Sequence, residues 1–150
     1  MRRIRTLLTG TTAVGFLTAG LVLGAPAANA SGSGSCSGGD GSTGAGGDGC
    51  LYYHANQVGG YFGSPYSINY QGKTFGGCNK GSCAGDGQPV RNNAASVQNW
   101  DTACTLHVQV YPLGTSGNVG QSIAPWTAGN LNSTLTNNNA SQTWSGPGAC

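Results

Sequence analysis

Six cysteines confined to the stretch from Cys36 to Cys150, in a chain of 150 residues with 28 glycines and no glutamate, constrain the fold more than any other feature. A chain this short buries a modest core, and exported domains of such size commonly add covalent staples. The even count makes three bridges the default reading in an oxidising compartment. Zinc is the competing use of thiols. No Cys-x-x-Cys pair occurs, however, and the two histidines, His54 and His107, lie at no ligand spacing from each other or from a thiol cluster. Six cysteines permit fifteen pairings. Short loops and the tying down of both ends favour Cys36 with Cys50, Cys78 with Cys83, and Cys104 with Cys150.

The oxidising compartment is itself legible at the N-terminus. Basic Arg2, Arg3 and Arg5 precede an apolar stretch from Leu7 to Leu23, and small residues follow at Ala28, Asn29 and Ala30. That layout predicts a secretory signal peptide over residues 1–30, cleaved after Ala30, and a secreted product. A membrane anchor fits less well, because Thr and Gly dilute the apolar stretch and no basic stop-transfer flank follows. Cleavage removes three of the six basic residues. Lys73, Lys80 and Arg91 then stand against Asp40, Asp48, Asp86 and Asp101, for a net charge of −1. With no basic stripe left, nucleic acid and anionic membranes are excluded as expected partners.

Residues 31–49 are rich in Gly and Ser, cannot bury apolar surface, and read as a flexible leader before a folded domain at 50–150. Within the domain, short aromatic and β-branched runs alternate with Gly, Asn, Pro and Ser: LYYH at Leu51, KTF at Lys73, SVQNW at Ser96, TLHVQVY at Thr105 and SIAPW at Ser122. Thr105 to Tyr111 alternates as a half-buried strand requires, with Leu106, Val108 and Val110 on one side. No window carries a helical stripe, so the class is all-β.

Laid against each other, the halves repeat. Asn92 opens NNAASVQNW and Asn137 opens NNNASQTW; upstream of each is an aromatic strand followed by a Gly-containing turn, YYHANQVGGYFG from Tyr52 and VYPLGTSGNVG from Val110. Two copies of one four-strand unit, about 50–100 and 104–144, packed face to face account for this.

On these motifs the chain resembles the βγ-crystallin superfamily and, within it, the secreted actinobacterial proteins grouped as peptidase inhibitor family I36. The likeness runs from Cys50 to Trp144 and rests on CLYYHANQVGGYFG, on VRNNAASVQNWD from Val90, and on the echo at Asn137. It implies a disulfide-stapled β-sandwich of two Greek-key motifs and steric inhibition of a secreted peptidase. In such a hairpin Gly60 and Gly63 supply backbone conformations that a Cβ disfavours, while Tyr52, Tyr53, Tyr61 and Phe62 supply packing area.

The sharpest candidate contact is the loop Cys78-Asn79-Lys80-Gly81-Ser82-Cys83, because a bridge across its ends fixes the backbone before a partner arrives. Family I36 is similar in using a Cys-x4-Cys loop against a metallopeptidase, placed elsewhere in the domain. The structural alternative is a staple in a Gly-rich insertion. Calcium-binding βγ-crystallins carry (N/D)(N/D)xx(S/T)S loops. The matching residues here are Asn92, Asn93 and Ser96, and Asn137, Asn138 and Ser141, both copies lacking the last Ser. Uncharged amides with a missing hydroxyl predict weak calcium binding or none, and no required cofactor. Their structural alternative is turn bracing by local hydrogen bonds.

Enzyme chemistry is not expected. His54 or His107 could be set with Asp101 and a serine on paper, but no nucleophile-elbow sequence supports it, and four Asp, two of them in the leader, offer poor material for a carboxylate pair. Two other functional classes compete with inhibition: an extracellular structural or weak calcium-binding module, and a killer-toxin-like antimicrobial protein of similar fold.

Overall fold

The alternation at Thr105 is realised as a strand in which Leu106 and Val108 are buried and their neighbours Thr105, His107 and Gln109 only half so. The computed structural model describes residues 36, 47–147 and 150; the expected signal peptide and most of the expected leader lie outside them. Eight strands are described: β1 (Gly49–His54), β2 (Val58–Ser64), β3 (Ile68–Asn69), β4 (Ser96–Asn99), β5 (Thr105–Gln109), β6 (Gly120–Ile123), β7 (Ala128–Asn130) and β8 (Ser141–Ser145). They form two antiparallel four-stranded sheets, ordered β2-β1-β4-β7 and β3-β8-β5-β6. The fold is all-β.

Each sheet takes three strands from one half of the chain and its fourth from the other. In both, the fourth strand of a unit returns beside its first, the Greek-key signature, and the third strand crosses to the opposite sheet. The hydrogen bonds repeat with the strands. Asn92 N donates to Asn139 O at 2.8 Å, and Asn137 N donates to Ala94 O at 2.9 Å; Ala95 N reaches Tyr52 O, and Ala140 N reaches Gln109 O. The structure is a sandwich of two interlocked Greek-key units.

Apolar side chains from both sheets fill the space between: Leu51, Phe62 and Val97 from one, Leu106, Val108 and Ile123 from the other, closed at the ends by Tyr70, Phe75, Val90 and Leu135. Polar side chains are buried as well, Asn99 and Gln142 among them. Asn99 donates to Cys104 O and Ile123 O and accepts from Asp101 N, fixing the link between the halves. Gln142 accepts from the Tyr70 hydroxyl at 3.1 Å and donates to Ser64 O and Tyr66 O. Burial without such partners would cost the fold, so these groups also specify register.

The first strand takes in Gly49, a residue of the expected leader. Gly47, Asp48 and Gly49 are buried, and Asp48 O accepts from Trp100 N, because a chain entering a central strand must pass under its neighbour. The KTF segment is not a strand. Thr74 makes one bridge to Pro89 and Phe75 bonds Gln88 and Gly87, within an insertion that lies along β2. The left-handed positions of the first hairpin are Asn56, Gln57 and Gly59 rather than Gly60 and Gly63. Gly60 is needed for closeness: a Cβ there would stand 3.1 Å from Asp86 N and 3.2 Å from the Phe75 Cβ.

Candidate functional site

The insertion between β3 and β4 runs along the free edge of β2. Gly59 and Asn79 exchange backbone bonds, Gly60 N donates to Ala84 O at 2.8 Å, and Tyr61 and Gly76 exchange a further pair. Along this edge the candidate contact loop forms its own small hairpin. Cys78 and Cys83 are disulfide-bonded with Cα atoms 4.2 Å apart, and Asn79 and Ser82 bond reciprocally at 3.0 and 3.1 Å. Lys80 and Gly81 form the tip with φ of 49° and 76°, the left-handed pair of a type I′ turn, which matches strand twist in a two-residue hairpin.

The tip is also anchored from below. Asn79 Nδ2 donates to Gln57 O, and Lys80 Nζ donates to Asn56 O and lies 3.4 Å from Gln57 Oε1. Lys80 and Asn79 between them thus cap the Asn56 and Gln57 carbonyls of the β1–β2 turn, where both residues are left-handed. The loop offers a tight turn, not the extended backbone of a peptidase substrate, because both tip residues are left-handed. The remaining pairs, Cys36–Cys50 and Cys104–Cys150, also lie at bonding distance.

The two repeated loops meet through the backbone bonds described above, Asn92 N to Asn139 O and Asn137 N to Ala94 O. Asn92 and Asn137 are left-handed. Asn93 Nδ2 donates to Pro89 O and Arg91 O, and Asn138 Nδ2 donates to Thr134 O, so these amides brace their own turns. Ser96 is fully buried; its Oγ donates to His54 O at 2.6 Å and accepts from Gln57 N at 2.9 Å. Ser141, equally buried, donates to Tyr111 O at 2.7 Å. Both hydroxyls pin the folded-over hairpin of their unit, and the oxygens offered to a cation at these loops are uncharged. Among the described residues no group of three or more His, Cys, Asp or Glu could hold a metal ion.

Ser96→Ala leaves the His54 carbonyl and the Gln57 amide without that partner, and is expected to cost about 2 kcal/mol of unfolding free energy. Urea denaturation measures it. A change below about 0.5 kcal/mol, the scatter of ordinary surface substitutions, would show that water replaces the hydroxyl.

The histidines and Asp101 stand in different settings. Asp101 is buried and its carboxylate accepts from Ala103 N and Cys104 N, holding the turn between the halves. His54 is exposed at the end of β1, edge-on to Tyr53. The ring of His107, on the outer face of its sheet, lies 2.9 Å from Ser122 Oγ through Nδ1 and 2.6 Å from Ser145 Oγ through Nε2. A histidine held between two serines, with Asp101 committed elsewhere, is a cross-strand tie.

No family model and no curated protein matches the chain. A solved structure from work described as "Evolution of the eye lens beta-gamma-crystallin domain fold" is similar over 66% of this chain and 85% of its own, with 10% sequence identity and a TM-score of 0.48.

Proposed function

We propose that the mature chain is a secreted, non-catalytic binding module that obstructs an extracellular peptidase with the Cys78–Cys83 hairpin. The observation that carries this reading is preorganisation. A disulfide, two reciprocal backbone bonds and the Lys80 and Asn79 anchors hold one short exposed turn in a single shape, so little ordering remains to oppose association. The left-handed tip makes the contact a wedge at the mouth of a cleft, where no peptide bond is presented in the extended form that a peptidase cuts. The signal-like N-terminus and the three staples support an extracellular setting.

The test is inhibition of a panel of secreted metallopeptidases and serine peptidases by the oxidised mature protein, by Cys78→Ser/Cys83→Ser and by Lys80→Ala. Inhibition is expected from the intact protein, with a loss of at least tenfold in the serine pair and a smaller loss in Lys80→Ala. Absence of inhibition across the panel overturns the reading in favour of an extracellular scaffold. Inhibition that survives both variants moves the contact to another surface.

A further inference from the structure

The outer face of the β2-β1-β4-β7 sheet is not the polar surface that an antiparallel sheet ordinarily turns to water. Leu51, Phe62 and Val97 point into the core, so their neighbours Tyr52, Tyr61 and Gln98 point out, and Trp100 follows directly after β4. Tyr52 is only 3% exposed despite lying on this face. Its hydroxyl donates to Gln98 Oε1, and burial pushes the phenol above its ordinary pKa, with the Trp100 indole beside it pulling the other way.

A cavity of about 290 Å³ opens here, lined by Tyr52, Tyr61, Trp100, Asn79, Cys36 and Cys78. Two disulfides, Cys36–Cys50 and Cys78–Cys83, thus stiffen its walls. Beside it Trp126 packs edge-on against Trp100, ring centroids 5.2 Å apart, yet remains 59% exposed. Trp126 also has a φ of 56°, a left-handed conformation that a bulky side chain rarely adopts, stabilised by its N–H donating to Asp101 O at 2.8 Å. An aromatic ring kept in water on a strained backbone contributes little to folding, and such outliers gather at ligand sites.

We propose that this face binds a neutral sugar ring, as one unit of a glycan. Aromatic faces take the flat C–H side of a pyranose, while the polar edge needs groups that donate and accept. Tyr61 and Asn79 supply the polar groups of the lining, a phenol hydroxyl and an amide whose Nδ2 donates to Gln57 O. Among the described residues that line it none is charged, and the nearby Lys80 amine is turned onto Asn56 O, which suits an uncharged ligand. An apolar peptide side chain would stack equally well but would offer these polar groups no hydrogen bond. The cavity is at the lower end of small-ligand sites, a size for one ring with its neighbours running past Trp126.

The experiment is retention of the oxidised mature protein on insoluble cellulose, chitin and mannan, with polystyrene beads as an apolar control, followed by tryptophan fluorescence titration with soluble oligosaccharides of the polymer retained. Retention on at least one polymer and not on polystyrene is expected. It should fall at least tenfold in Trp126→Ala, a surface change that leaves the unfolding midpoint in place, and severalfold in Tyr61→Phe, which removes only the hydroxyl. Trp144→Phe, in the opposite sheet, should retain wild-type binding. No retention on any polymer, equal retention on polystyrene, or retention undiminished in Trp126→Ala overturns the proposal. Cys78 and Asn79 belong to both surfaces, but Trp126→Ala touches only the glycan face and Lys80→Ala only the hairpin tip, so either proposal can fail alone.

Discussion

Replacing Cys104 and Cys150 together by serine is expected to lower the unfolding free energy by about 4 kcal/mol, the largest loss available from any staple. The bond spans 46 residues and encloses the whole second unit, β5 to β8. Cutting it returns the conformational freedom of that loop to the unfolded chain. The same loop-entropy argument gives about 3 kcal/mol for Cys36–Cys50, 14 residues apart, and about 2 kcal/mol for Cys78–Cys83, 5 apart. Urea unfolding of the three serine pairs should therefore rank them by loop length. If the Cys78–Cys83 pair proved the most costly, native-state packing of the hairpin rather than loop closure would be setting the order.

Gln142→Leu comes next, at about 3 kcal/mol, although leucine is the more hydrophobic residue. The substitution strands the buried Tyr70 hydroxyl and the carbonyls of Ser64 and Tyr66 at once. Tyr70→Phe alone should cost about 1 kcal/mol, and the double variant less than the two singles together, since the orphaned hydroxyl is then gone. Tyr70 adds a pH signature. Full burial holds its phenol well above the ordinary 10.0, so the folded state keeps a proton that the unfolded state releases. Its contribution is complete below pH 10 and is lost as pH rises beyond it. Wild-type stability should thus decline with alkalinity, and Tyr70→Phe should flatten that decline. An unchanged alkaline slope in the variant would assign the effect to other groups.

How much of this was legible depended on whether the signal was local. The β5 alternation and the aromatic run at Leu51 carried their own pattern, and both are strands. β3 and β7 had none to give: Ile68–Asn69 and Ala128–Asn130 are two and three residues long, and they are strands because β8 and β4 offer them an edge. The tryptophans show the limit of motif matching. Trp100 and Trp144 seem equivalent in the two echoes, but one extra residue separates Trp100 from its Asn pair. With a period of two, that residue decides the face: Trp144 packs against the core and Trp100 lines the outer cavity. The same repeats singled out Ser96 and Ser141 as calcium candidates or turn braces; that their hydroxyls are buried against hairpin carbonyls is visible only in three dimensions. Trp126 closes the run SIAPW, read as strand chemistry, but the strand ends at Ile123 and Pro125-Trp126 forms a turn, so its exposure and left-handed backbone had no sequence signature.

The crossing of the third strands bears on what either half could be alone. A single four-strand unit would have a strand with no sheet of its own to join, and a sheet with one place vacant. Each half supplies what the other lacks, as two subunits exchanging arms do, and the short connection at Asp101–Ala103 keeps the partner permanently at hand. The chain is built as a dimer whose association has been made intramolecular, and its integrity does not depend on how dilute it becomes.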